Sequence, residues 1–432
     1  MTSRKGFSRR TFLKGSGAAL AGTAFGASGH FKTQGIFAPN VVRAQAQVIL
    51  AVQEFAHPAL EEILPAFEEE TGLEVVLEGG PASGIDMQAR LSTAYAAGNS
   101  PYDVVSDADE SAPGFMRAGW LEPLDDVIPE ETWGDFPESM AETIDVWHSF
   151  DGARYRFPHE FAIGYFFTRN DWLAERDLAV PTTWEEMVEV GKEIADPANE
   201  VWATTDGLAK PGLLYVYLAY LVTQAGGDVF AFDEPTATAF QFLYDMIHTH
   251  QIFPETALNQ DYNAQNELYM ADRVAFMRQW PFFQDVAEGD ADWFAPEKVK
   301  IELPPAGPAG SKSWVGGWGW TIPAAAPNIE GAKELVKFIT LPENAPTLAR
   351  GQSWFVMPRT SILEALADEG NPLLEAMGAY SEAGVPAPRP FHPRIVEAQT
   401  LVEDLASLYL TDQASLADIM RQGQRLIQDL DI

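Results

Sequence analysis

Residues 48–77 read VILAVQEFAHPALEEILPAFEEETGLEVVL. The first five are a short apolar run of the kind buried in a sheet. Pro58 opens a helix in which Leu60, Ile63, Leu64 and Phe67 follow the i, i+3, i+4, i+7 spacing of one apolar face, with a bend expected at Pro65. Thr71-Gly72 ends it, and Leu73, Val75 and Leu77 then alternate as a second strand. Strand, helix and returning strand make a β-α-β unit, which implies a parallel sheet and an α/β fold. Helical spacing over 87–97 and an apolar strand over 102–106 repeat the theme. Asp107, Asp109 and Glu110 follow that strand's carboxyl end, where open α/β sheets bind ligands.

Further along, 152–158 reads as a turn and edge strand and 164–168 as an aromatic strand. Thr183 is the N-cap of the next helix, with Glu186 three residues on as its capping-box partner. Helical patterns follow over 213–224, 236–248 and 264–271. Residues 273–277 form a strand, 314–322 a Gly/Trp-rich strand and 329–339 a helix. A Pro-rich connector, 385–393, precedes a final helical stretch, 395–432. No internal repeat is evident.

The 432 residues carry 63 acids against 28 bases, a formal charge of −35, yet 46% are hydrophobic and only 21% charged. Such a chain has the apolar material for two or three packed domains. Phosphate backbones are bound by clustered Lys and Arg, so the acidity argues against nucleic acid as a partner. Without cysteine, disulfides, Cys-zinc sites, iron–sulfur clusters and thiol nucleophiles are excluded.

Residues 1–46 are distinct. Ser8-Arg9-Arg10-Thr11-Phe12-Leu13-Lys14, a mildly apolar Ala/Gly-rich stretch and Ala44-Gln45-Ala46 have the order of a twin-arginine export signal with its cleavage site. This places the mature start near Gln47. Seven of the 28 bases and none of the acids lie in this segment, which leaves 21 bases against 63 acids and a mature charge of −42. With no cysteine to carry a lipid anchor, the expected location is a periplasm.

Several segments together resemble the extracytoplasmic solute-binding proteins of carbohydrate ABC importers, the family that includes maltodextrin- and trehalose/maltose-binding proteins. They are 64–76 (LPAFEEETGLEVV), 101–105 (PYDVV), 157–171 (FPHEFAIGYFFTRND), 181–187 (PTTWEEM), 272–283 (DRVAFMRQWPFF) and 315–339 (VGGWGWTIP to GAKELVKFI). The resemblance implies a two-lobed periplasmic binding protein fold with three inter-lobe crossings, the lobes closing on a solute in the cleft. By that analogy lobe one is 47–161 plus 318–384 and lobe two 162–317 plus 385–432. The implied partners are a small carbohydrate and the permease subunits of an importer, the receptor itself being a monomer without cofactor.

A sugar needs planar aromatic walls for its C–H faces and bidentate polar groups for its hydroxyls. By analogy Trp280 and Phe282 lie in a loop that places an aromatic against the sugar, Trp318 on a strand near the hinge and Trp354 on another loop to the cleft. Among polar candidates Glu54 follows the first strand and matches a ligand-contacting acid of maltodextrin-type relatives. Asp107 and Asp109 follow a later strand, and Glu160 sits at the first crossing. At Asp107 maltodextrin-type proteins carry an aromatic, a departure from maltose-like stacking. Tyr215 is a candidate from lobe two. Arg394 is a donor candidate where relatives carry a P-x-Y-x-E element and this chain has Ile395. For every aromatic the competing role is core packing, and for every acid a solvated rim.

Other chemistry does not survive inspection. Residues 307–313 lack the spacing of a phosphate loop. His248 and His250, two apart, do not share a helical face, so no metal site is expected. No G-x-S-x-G or H-E-x-x-H occurs, and the expectation is a binding protein rather than an enzyme. Two competitors stand: a receptor for a cationic solute such as a polyamine or osmolyte, held by acids and Trp faces, and an exported glycoside hydrolase, which needs paired cleft carboxylates.

Overall fold

The structure, a computed structural model, describes residues 47–80, 84–289, 295 and 298–430. The export signal expected over residues 1–46 lies outside the described residues. In chain order the strands are β1 (Gln47–Gln53), β2 (Glu74–Gly80), β3 (Val104–Ala108), the hairpin β4 and β5 (Ser149–Phe150, Ala153–Arg154), β6 (Phe157–Pro158) and β7 (Ala162–Ile163). They continue with β8 (Tyr165–Arg169), β9 (Trp202–Thr205), β10 (Val274–Gln279), β11 (Val299–Glu302), β12 (Ser313–Gly316), β13 (Trp318–Thr321) and β14 (Pro386–Pro388).

The opening unit forms as its pattern dictates. β1 pairs in parallel with β2, Val48 opposite Val75, and with β3, Leu50 opposite Val104. Helix His57–Thr71 crosses between them and buries Ala59, Leu60, Ile63, Leu64 and Phe67. It runs as one helix through Pro65 and ends at Gly72, whose φ of 73° suits a residue without Cβ and whose N–H returns to the Glu68 carbonyl. The complete sheet has the order β2-β1-β3-β13-β6.

A second sheet has the order β11-β8-β10-β9, and its central strands β8 and β10 are buried along their whole length. Phe166 stacks on Phe276 between these two antiparallel neighbours, with centroids 5.5 Å apart. On this side helix Trp184–Ile194 starts at Thr183, whose hydroxyl accepts from the Glu186 N–H at 3.2 Å. The Glu186 carboxylate returns to the Thr182 N–H at 2.8 Å. The reciprocal cap is therefore shifted by one residue from the expected pairing.

A third, small sheet, β14-β12-β7, lies where the chain passes between the other two. β7 follows β6 of the first sheet and precedes β8 of the second; β12 follows β11 of the second and precedes β13 of the first. Gly317 makes the second passage. Its φ is 156°, and a Cβ there would stand 2.4 Å from the Glu160 carbonyl oxygen, so only glycine lets the two crossing segments lie against each other. The single Gly/Trp strand expected over 314–322 is thus two strands in two sheets.

A further detail differs from expectation. The last helical stretch is two helices, Ile395–Leu410 and Leu416–Leu430. Asp412 adopts a φ of 57° in the turn between them. Helix Pro372–Glu382 is bonded to the second sheet through Tyr380. The Tyr380 hydroxyl donates to the Glu302 carbonyl at 2.8 Å and accepts from the Phe166 N–H at 2.9 Å. Together the layers form a two-lobed α/β fold of the periplasmic binding protein type. No helix among the described residues is long and apolar enough to cross a membrane.

Candidate functional site

The carboxyl ends of β1 and β3, the crossing segment 159–161, β13 and the loop after β10 converge on two adjoining groups of side chains. In the first, Trp354 is the hub. Only 2% exposed, it packs on Phe55 at 4.8 Å, edge-on against His159 at 5.2 Å and against Trp318 at 5.7 Å. Phe55 is 41% exposed and stacks at 6.3 Å on Phe282, which follows β10 of the second sheet. The group thus draws on both sheets and presents partly open aromatic faces.

Glu160 lies against this group, beside the Trp354 side chain. It is buried, and its Oε2 has no hydrogen-bond partner. Burial, with Asp109 and Glu110 nearby, pushes its carboxyl up to about 8 against the lowering pull of Trp354 and Arg156. At neutral pH Glu160 therefore carries a proton, and can donate as well as accept.

The second group is ionic and centred on Asp109. The Asp109 carboxylate receives Arg156 Nη1 at 2.5 Å, Arg389 Nη1 at 3.1 Å and the Gly317 N–H at 2.7 Å. Arg156 is also bound by the carbonyls of Asp107 and Gly317. Arg389 donates to Glu110 at 2.6 Å and lies over the rings of Trp147 and Trp314, 5.1 and 4.9 Å from their centroids. Trp280 packs on Trp314 at 5.3 Å and under the Arg278 guanidinium at 4.7 Å, and Arg278 is itself paired with buried Asp206.

The remaining candidates fall around these groups or apart from them. Glu54 is exposed and lies across the bare Cα of Gly79 on the neighbouring strand. Asp107 is buried and turns to Ser111, which donates to one carboxyl oxygen and leaves the other without a partner. Burial raises its carboxyl to about 7. Tyr215 is buried on Phe230 with Arg389, Glu110 and Gln399 around its hydroxyl, and burial holds that hydroxyl well above its ordinary range. Arg394 is the outlier: it is exposed and engages Glu397 one helical turn away at 3.0 Å. The residue that the Pro-rich connector delivers to the centre is Arg389.

Sequence reasoning thus reached Glu160, Trp318, Trp354 and Phe282, which meet, and passed over Phe55, His159, Arg156 and Arg389. Glu110 was placed with Asp107 and Asp109 at the strand's carboxyl end. The arrangement supplies aromatic faces, a neutral carboxyl with a free oxygen and a rigid charged floor. Those are parts suited to holding a polyhydroxyl molecule.

Known proteins define the class. Residues 56–346 match the family of bacterial extracellular solute-binding proteins, two thirds of the chain. The chain belongs to that family, whose members bind solutes. Among curated relatives, the maltotriose-binding protein of Pyrococcus abyssi is 27% identical over 64% of this chain, and the match spans 58% of that relative. The arabinooligosaccharide-binding protein of Halalkalibacterium halodurans is 23% identical over 60% of this chain and 59% of its own length. In fold, the chain superposes on the maltose-bound T. maritima MalE3 with a TM-score of 0.77, covering 89% of this chain and 99% of that one at 22% identity. A ribitol-bound solute-binding protein of Agrobacterium radiobacter gives 0.73, with 89% and 98% covered at 18% identity.

Proposed function

We propose that the protein is the periplasmic receptor of an ABC importer, taking a mono- to disaccharide or similar polyol into the cleft between its lobes and delivering it to the membrane permease. The observation that carries this is Glu160, a buried carboxyl with an unpartnered oxygen set against the Trp318–Trp354–Phe55–Phe282 faces. A sugar ring stacked on those faces offers its hydroxyls to Glu160, and no reacting group is required. The relatives' names support the ligand class: maltotriose, arabino-oligosaccharide, maltose and ribitol are all neutral polyols. In this reading lobe one is 47–161 with 318 to about residue 366, and lobe two takes 162–317 with 372–432, because Tyr380 is bonded into the second sheet. Residues 1–46 serve as the twin-arginine signal, and the receptor acts as a monomer.

The test is a thermal-shift screen of the purified protein against sugars, polyols, amino acids and polyamines, since a ligand of the folded form raises the melting temperature. A shift with a sugar or polyol is expected. A second reading, a cationic solute, is favoured by the acids Glu54 and Glu110 near the site. A shift with spermidine or betaine alone, weakening steeply with salt, selects it over the first.

A further inference from the structure

At one end of the cleft, two segments rooted in different sheets are joined directly. Asp285 lies on helix Phe283–Glu288, which follows β10 and is anchored by Phe283 against Phe167 at 5.0 Å and Tyr269 at 5.7 Å. Ser353 begins the turn Ser353–Phe355 after helix Ala345–Gly351. That helix sits so tightly on His57–Thr71, beside the first sheet, that a Cβ on Gly351 would stand 2.7 Å from that of Ala59. Across the junction the Ser353 N–H donates to Asp285 Oδ2 at 3.1 Å, and its hydroxyl reaches both the Asp285 carboxylate and the Pro281 carbonyl, the latter at 2.9 Å. On the first-sheet side of the junction, Gln352 donates to the Phe55 carbonyl at 3.1 Å, and Phe55 in turn stacks on Phe282.

We infer that Asp285 and Ser353 form a bolt between the lobes, which holds the closed arrangement and, with the Phe55–Phe282 stack, shuts this end of the cleft to any further sugar ring. Neither residue secures its own sheet by these bonds; they exist only while the two segments meet. The stack closes the end for a steric reason. A ring between two aromatic faces needs contact at roughly 4 Å on each side, about 8 Å in all, and the Phe55 and Phe282 centroids are 6.3 Å apart. A bound saccharide therefore stops at Phe55 and Trp354, and leaves after the bolt parts. The shut end rests on the cleft being the solute site; the bolt does not.

The chain has no cysteine, so E61C and K192C, at exposed helical positions near the two sheets, give the full chain one specific label pair. Lobe separation is then read in the absence of ligand. D285A lowers the closed-to-open ratio roughly tenfold, the effect of losing hydrogen bonds to a charged group. S353A, which keeps the backbone N–H, lowers it less, and D285N, which keeps an acceptor, stays near the unsubstituted protein. Identical distance distributions in all of them overturn the bolt. Should D285A fail to fold, S353A removes a single hydroxyl and carries the test. For the shut end, malto-oligosaccharides of two to six units are titrated. Short chains are accepted by the unsubstituted protein and longer ones gained by D285A; equal affinity for all lengths before substitution overturns it. If no sugar of any length binds, the proposed function fails, while the distance measurement still decides the bolt.

Discussion

The ionic group around Asp109 and the aromatic group around Glu160 adjoin each other, yet they differ in one respect. Both oxygens of the Asp109 carboxylate are bonded, and the guanidinium groups it holds also reach Glu110 and backbone carbonyls, with Arg389 Nε alone left without a partner among these contacts. Glu160 is equally buried and has an oxygen without a partner. A carboxylate with both oxygens bonded gains little from a ligand and its network loses much when cut, so it belongs to the scaffold. An unsaturated buried carboxyl costs the protein stability that a ligand can restore, so it belongs to the site.

The sharpest way to break this contrast is Asp109→Ala. It leaves Arg156 and Arg389 buried with their shared counter-charge removed, and losing one partner of a buried ion pair typically costs about 3–5 kcal/mol. Urea unfolding should show a loss of that order. A loss below about 1 kcal/mol would mean that the network relaxes into solvent and is no scaffold at all.

The same contrast explains what could be read in advance. The β-α-β unit, the Thr183 cap and the aromatic strand at Gly164 announce themselves because periodicity and capping are local. Glu160, Trp318 and Trp354 were found through resemblance, and their meeting is consistent with it. Arg389 was not legible, since its partner Asp109 lies 280 residues away and a single chain carries no mark of that pairing. Glu54 was reached through its place after the first strand and its match to a ligand-contacting acid of maltodextrin-type relatives, and Phe55 beside it carried no such mark. The 3₁₀ turn Glu54–Ala56, a geometry without a sequence signature, carries Phe55 to Trp354 and Phe282. Arg394 drew attention because relatives carry an aromatic in the P-x-Y-x-E element where this chain has Ile395, while five residues earlier Arg389 was overlooked inside the connector.

A second measurement sharpens the comparison through pH. Glu160 is held neutral in the fold up to about pH 8, against an ordinary value of 4.5. The folded state thus binds the proton more tightly than the unfolded chain, and this contribution to stability is complete below about pH 4.5 and is lost as pH rises through 8. Asp107, raised to about 7 from 3.8, acts in the same direction over a lower window. Glu160→Gln, which keeps a neutral side chain of the same shape, should flatten the fall in melting temperature between pH 5 and 8, an effect of roughly a few kcal/mol at 1.4 kcal/mol per unit. An unchanged slope in E160Q places the titration elsewhere.

Trp318→Ala probes the aromatic side directly. Trp318 is half-buried and edge-on to Trp354, so its removal takes away a face of the site more than a core residue. An aromatic contact of this kind is worth about 0.5–1.5 kcal/mol beyond its buried area. Affinity for a sugar found in the screen should fall roughly tenfold, with the melting temperature of the ligand-free protein little altered. Loss of stability without loss of affinity would assign Trp318 to packing.

The smallest effect is expected at Arg394, which stands outside both groups. Its ion pair with Glu397 is exposed on both sides, and such pairs contribute about 0–1 kcal/mol because water and salt screen them. Arg394→Ala should therefore leave ligand affinity unchanged and shift urea unfolding by no more than that. Arg389→Ala, in the same connector, should behave like Asp109→Ala, since it strips Glu110 and Asp109 of a buried partner lying between Trp147 and Trp314. If the two arginines instead gave equal losses, burial would not be what separates scaffold from surface in this connector.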